Sequence, residues 1–121
     1  MPSLRTPDLQ EKYTQYRKTV DISSPHSCPL CVDKPIELYV HWKLIRNDFP
    51  YNKIAEKHLM LVPLRHVVEA DFTPEEVVEL RTIKHDILTS PEFDMVIEID
   101  EFYKTIPSHF HLHVIKLRSD I

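Results

Sequence analysis

The sequence predicts a single α+β domain built on a mainly antiparallel sheet. Ser108-His-Phe-His-Leu-His-Val-Ile115 alternates histidine with apolar residues, the period-2 pattern of a half-buried strand. Helical and strand patterns follow one another as helix, strands, helix, strands, the order of an α+β fold. The chain has 121 residues, enough for one core and too few for two ordinary domains. The organisation expected is an N-terminal helix region (1–20), a Cys-x-x-Cys loop (21–36) and a core (37–118).

Thr6-Pro7-Asp8 opens the first helix, with Thr as N-cap, Pro at the first helical position and Asp in the first turn. It should run to about Lys18 with Leu9, Tyr13 and Tyr16 on one side, a packing helix with no assigned chemistry. Glu37 to Asn47 reads as one strand, Leu38, Val40, Trp42 and Leu44 alternating with Tyr39, His41, Lys43 and Ile45. Asn47-Asp-Phe-Pro-Tyr-Asn52 then breaks it with turn chemistry. His58 to Leu64 reads as a buried strand, with Pro63 at its end or on an edge. Thr73-Pro74-Glu75-Glu76 is a capping-box start, with Phe72 and Val77 as hydrophobic staple. Val77, Leu80, Ile83, Ile87 and Leu88 form that helix's buried stripe, and Ser90-Pro91 stops it. Asp94 to Glu101 alternates again, before Lys104-Thr-Ile-Pro-Ser108 leads into the histidine strand.

Composition bounds the function. The formal net charge of −4 argues against binding nucleic acid, which needs a basic surface, but leaves room for a local patch facing a small anion. No apolar run approaches the ~18–20 residues of a membrane span, and the first residues lack the apolar core of a signal peptide, so a cytoplasmic protein is expected. Glycine is absent, where average usage would give about 8 residues. Any position with positive φ must then fall to Asn, Asp or another residue at some strain.

His109, His111 and His113 fall on one strand face, close enough to share a ligand, a metal or a chain of hydrogen bonds. A lone strand histidine is usually a surface or satisfied core residue. Three in strict alternation cost packing and β-propensity, which points to chemistry. Cys28 and Cys31, in a turn-rich stretch of a chain expected in a reducing compartment, read as half of a zinc site. The other two ligands must come from elsewhere, with His26, His41, His58, His66 and His109 as candidates. His26 lies too near Cys28 in sequence to share the knuckle.

Three blocks together resemble the histidine triad (HIT) superfamily, over about residues 25–118. His109-Phe-His-Leu-His-Val-Ile115 has its His-φ-His-φ-His-φ-φ pattern, where φ is apolar. Asn47-Asp-Phe-Pro-Tyr-Asn52 followed by His58-Leu-Met-Leu-Val-Pro-Leu-Arg-His66 resembles its nucleotide-binding half, and Cys28-Pro-Leu-Cys31 the cysteine pair of its zinc-bearing branches. The resemblance implies a HIT-like fold, an antiparallel sheet of about five strands with flanking helices, and often a homodimer. It implies hydrolysis or transfer at the α-phosphate of a nucleoside phosphoramidate, an adenylylated compound or a dinucleoside polyphosphate. His111 would be the nucleophile, His113 and His58 would complete the polar network, and Asn47 would bond the ribose hydroxyls. Cys28, Cys31, His66 and His109 would hold a structural Zn2+. The sequence departs from the family at Lys57, where glycine is usual, and by extra residues within Lys53–Glu56. It departs again before the triad, where Thr105, Ser108 or Lys104 stand in place of phosphate-gripping glycine and small polar residues. An enzyme is therefore expected, with a nucleotide-binding or interaction module of little turnover as the alternative. A catalytic metal on the histidine face itself is the weaker third reading.

Overall fold

In a computed structural model the chain is described over residues 3–100 and 103–121. It is an α+β fold with one five-stranded antiparallel sheet. In chain order the elements are α1 (Pro7–Arg17), α2 (Pro29–Val32), β1 (Glu37–Leu38), β2 (Trp42–Arg46), β3 (Ala55–Pro63), a 3-10 turn (Glu69–Asp71), α3 (Pro74–Leu88), β4 (Met95–Ile97) and β5 (Leu112–Leu117). The sheet order is β1-β2-β3-β5-β4. No helix among the described residues is long and apolar enough to cross a membrane.

The two faces of the sheet are buried differently. On one, Trp42, Leu44, Leu59, Leu61, Leu112 and Val114 meet Ile83 and Ile87 of α3. Burying each such side chain contributes about 1.5–3 kcal/mol. α3 starts as the sequence indicates. The Thr73 hydroxyl accepts from the Glu76 N–H at 3.1 Å, and the Thr73 N–H donates to Glu76 Oε1 at 2.8 Å. The same buried carboxylate takes a two-pronged contact from Arg65. That contact and the capping bonds hold the Glu76 carboxyl below its usual range. Leu88 is exposed, so the buried stripe is narrower than expected.

The opposite face carries Lys43, Ile45, His58, Met60, Val62 and His113, as the pairs Ile45↔Met60 and Met60↔His113 require. It is covered by Cys28 and Leu30 of the α2 turn and by Ile106. The histidine strand is thus buried on both faces rather than half-buried, with His109, His111 and His113 each 5 % exposed or less.

Several elements differ from expectation. The strand expected over 37–47 is a hairpin, because Tyr39–His41 turns the chain. The Tyr39 N–H bonds Trp42 O, and Glu79 of α3 accepts from the His41 N–H at 2.6 Å and the Val40 N–H at 3.2 Å. Leu38 and Val40, expected to share a face with Trp42, are consequently 63 % and 73 % exposed. The Cys-x-x-Cys loop contains the short helix α2. β3 starts at Ala55, and its pairing with β5 shifts register between Ala55 and Lys57, where the extra residues sit. β4 ends at Ile97, short of the expected strand, whose last residue Glu101 lies outside the described residues. β5 begins at Leu112, not near Ser108. Its ladder with β3 closes at Leu61↔Leu112, and Phe110 N–H turns to Val67 O at 2.8 Å. Pro63, with no N–H to give, ends β3. The strain expected from a glycine-free chain does not arise: no described residue has positive φ. Asx contacts such as Phe49 N–H to Asn47 Oδ1 make the turns instead.

Candidate functional site

The end of β3 and the approach to β5 bring two cysteines and two histidines together. A turn from Ser24 sets the cysteines: Cys28 N–H bonds Ser24 O at 2.8 Å, and Cys31 N–H bonds Cys28 O at 3.0 Å. Both sulfurs then face His109. Cys31 Sγ lies 3.2 Å from His66 Nδ1 and 3.2 Å from His109 Nδ1, and Cys28 Sγ lies 3.7 Å from His109 Nδ1. All four donor atoms fall within 4.8 Å of one another, close enough to hold a metal ion. The three sulfur–nitrogen contacts, at 3.2, 3.2 and 3.7 Å, lie on either side of the roughly 3.5–3.6 Å edge of a tetrahedron with metal–sulfur bonds near 2.3 Å and metal–nitrogen bonds near 2.0–2.1 Å.

Orientation supports this fit. His109 Nε2–H donates to Pro63 O at 3.0 Å, which fixes the tautomer and leaves the Nδ1 lone pair facing the sulfurs. Burial lowers the His109 pKa to about 4, so the ring is neutral, as a ligand must be. Burial and the adjacent Cys28 push the Cys31 thiol up to about 11. The pocket therefore holds either a thiol proton or a cation. His66 is less anchored: its Nε2 is buried with no partner among the described residues.

A second cluster starts one turn of the alternation further along. His58 Nδ1 accepts from the Tyr51 N–H at 3.0 Å, so His58 carries its proton on Nε2 and donates it to His113 Nδ1 at 2.8 Å. His113 must then carry its own proton on Nε2, which faces the Tyr51 hydroxyl at 3.3 Å. Three groups are thus locked in one direction of donation. Burial, reinforced by Arg5 and His111, holds His58 down at about 3 and, with His58 itself, His113 at about 2. Asn47 Oδ1 is used by the Phe49 N–H, and its amide nitrogen lies 3.3 Å from His58 Nε2. Both nitrogens are donors, so this contact adds little; the His58 proton belongs to His113.

His111 sits between the clusters. Its Nδ1–H donates to the His109 carbonyl at 3.0 Å, which leaves Nε2 as the ring nitrogen not engaged by that carbonyl. Its ring meets that of His113 edge-on at 5.2 Å. Both line a cavity of about 120 Å³ shared with Asn47, Arg5, Tyr51 and Lys104. Ligand pockets run from roughly 300 Å³ upward, so this one is small.

The N-terminal segment forms part of its wall. Thr6, expected to cap α1 with its hydroxyl, instead exchanges hydrogen bonds with the Asn52 side chain at 2.8 and 3.0 Å. Tyr13 and Tyr16 of α1, read from sequence as packing residues, line the cavity. Among the expected phosphate-side groups, Thr105 lines the cavity with its hydroxyl 2.5 Å from Tyr13 Oη, while Ser108 Oγ donates to Ile22 O at 2.7 Å. Sequence reasoning passed over Arg5, Tyr13 and Tyr51 because each has an ordinary local reading, as terminus, helix face and turn. Their roles depend on contacts some 40–90 residues away. No protein-family model and no curated protein matches the chain.

Proposed function

We propose that this chain is a nucleotidyl hydrolase or transferase of the histidine triad kind, with a HIT-like fold and His111 as nucleophile. The observation that carries this reading is the orientation of His111. A backbone carbonyl holds Nδ1–H, so Nε2 is the atom that would attack, in a ring that lines a cavity with His113. His111 Nε2 forms a bond to the α-phosphorus of a nucleoside phosphoramidate, adenylylated compound or dinucleoside polyphosphate. The bond to the leaving nitrogen or oxygen breaks, its electron pair departing with that atom. Water then attacks the nucleotidyl-histidine and releases the nucleoside monophosphate. His58 and His113 orient one another and the cavity wall, and Asn47 is the group for the ribose hydroxyls.

Zn2+ is the cation the Cys28, Cys31, His66 and His109 donor set suits, since two thiolates and two imidazoles are a common structural zinc set. With four protein ligands it would supply folding free energy and no open coordination site. Among the described residues no other group of three or more such side chains is placed to hold a metal, which weighs against a catalytic metal on His111 and His113. The small cavity favours one second reading, a module that binds a nucleotide and turns over little.

A fluorogenic adenosine phosphoramidate separates the two. Turnover by the wild-type chain, abolished in His111→Ala with an unchanged fold, is the expected result; a nucleotidyl adduct trapped on His111 would identify the intermediate. Near wild-type rates in the variant would remove His111 from the chemistry. Binding without turnover by the wild type would leave only the second reading.

A further inference from the structure

The segment before the triad offers a phosphate one cation, Lys104, which lines the cavity with its Nζ 5.5 Å from the centroid of the Phe110 ring. The same segment has no glycine whose backbone could cradle the phosphate. The Thr105 hydroxyl is engaged with Tyr13, and the Ser108 hydroxyl with Ile22 O. A second cation, Arg5, lies elsewhere on the same cavity wall.

Arg5 lines that wall, half-buried, with its guanidinium carbon 4.1 Å above the Tyr13 ring and 5.0 Å above the Tyr51 ring. Stacking on two rings holds the planar fork in place. Nε donates to Phe49 O at 2.6 Å and Nη1 to Gln10 Oε1 at 3.3 Å. Among the described residues no acceptor takes the Nη2 hydrogens, and no carboxylate pairs with the charge. A guanidinium partly withdrawn from water and paired with no carboxylate among the described residues suits an anion that supplies the countercharge. Tyr51 joins it to the triad: His113 donates to the Tyr51 hydroxyl, whose own hydrogen is then available to the same anion.

We propose that Arg5, its guanidinium held over the Tyr13 and Tyr51 rings, is a phosphate-binding cation of this cavity. The N-terminal segment is then part of the substrate site. This rests on the nucleotide reading for the identity of the phosphate's bearer; the anion site itself does not.

The test is binding of AMP, adenosine and inorganic pyrophosphate to the wild-type chain and to Arg5→Gln, with the melting temperature of each. Arg5→Gln should weaken AMP and pyrophosphate by roughly tenfold or more, the loss expected for a hydrogen bond to a charged group, and change adenosine less than about twofold. Equal losses for AMP and adenosine would overturn the proposal, because Arg5 would then merely shape the roof. Unchanged anion binding, or a wild-type chain that binds neither anion, would overturn it as well. If pyrophosphate binds through Arg5 but AMP and adenosine bind no better than chloride, the nucleotide reading fails and the Arg5 site stands. Should Arg5→Gln not fold, the NMR signal of Arg5 Nε–H in the wild-type chain decides: it should shift on adding pyrophosphate, and an unmoved signal overturns the assignment.

Discussion

His109 and His113 occupy equivalent places in one alternating run, four residues apart, both buried, both neutral, yet they serve different clusters. The difference lies in what holds the second ring nitrogen. His109 gives its Nε2–H to the Pro63 carbonyl and turns Nδ1 toward two sulfurs. His113 accepts at Nδ1 from His58 and turns Nε2–H toward a phenol. One arrangement collects lone pairs around a point, which asks for a cation. The other strings donor to acceptor in one direction, which asks for nothing more to be stable and leaves an ordered wall beside His111. The alternating run brings the three rings near one another, only His113 from within the strand itself, and the neighbours contributed by distant segments assign the roles.

The largest effect that sharpens this contrast should come from Cys28→Ser. It removes one of four donors from the first cluster and touches no member of the second. Bound zinc should fall well below one per chain by elemental analysis. The melting temperature should drop by about 10 °C or more, because metal binding to a folded site is folding free energy and a domain of this size moves about 3–6 °C per kcal/mol. A chain that purifies with no zinc and melts unchanged on chelation would leave the first cluster as two thiols and two histidines, erasing the distinction.

How much of this could be read from the residues follows the same line. The α3 capping box and the antiparallel sheet are local, carried by Thr73, Glu76 and the period-2 runs, and they stand as expected. The Cys28, Cys31, His66 and His109 grouping was reached through spacing and resemblance, and the four side chains do converge. The hairpin at Tyr39–His41 was hidden because a turn capped by Glu79, from a helix nearly 40 residues on, keeps the alternation of one long strand. Arg5 and Tyr13 were hidden for the same reason: nothing within ten residues of Arg5 tells that its guanidinium lies over Tyr51.

A smaller, opposite perturbation is His58→Ala. It should leave zinc content unchanged while removing the donor to His113 Nδ1. A buried acceptor without a partner costs about 1–3 kcal/mol, and the truncated ring adds a cavity term, so the expected loss is about 2–4 kcal/mol by denaturant unfolding. Loss of zinc in this variant would show that the clusters form one unit.

The smallest effect is on pH dependence, and it tests the neutral state of the second cluster directly. His58 and His113 titrate near 6.5 when unfolded and are held at about 3 and about 2 when folded, by burial first and then by Arg5 and His111 around them. Below pH 6.5 the unfolded chain therefore binds protons that the folded chain refuses. The unfolded state is favoured as pH falls, so this part of the stability is complete above pH 6.5 and is lost progressively toward the folded values. Each ring contributes a slope approaching about 1.4 kcal/mol per pH unit once the unfolded form is fully protonated. Zinc release also depends on pH, but it is common to the wild type and to a variant that keeps the four ligands. The informative quantity is the difference between the two slopes. Urea unfolding of zinc-saturated wild type and His58→Gln between pH 6.5 and 5 should show the variant losing stability less steeply, by on the order of 1 kcal/mol per pH unit. Parallel slopes would mean that His58 takes a proton in the folded chain. The donation chain from His58 to His113 to Tyr51 would then run the other way or not at all, and the contrast with His109 would rest on the thiols alone.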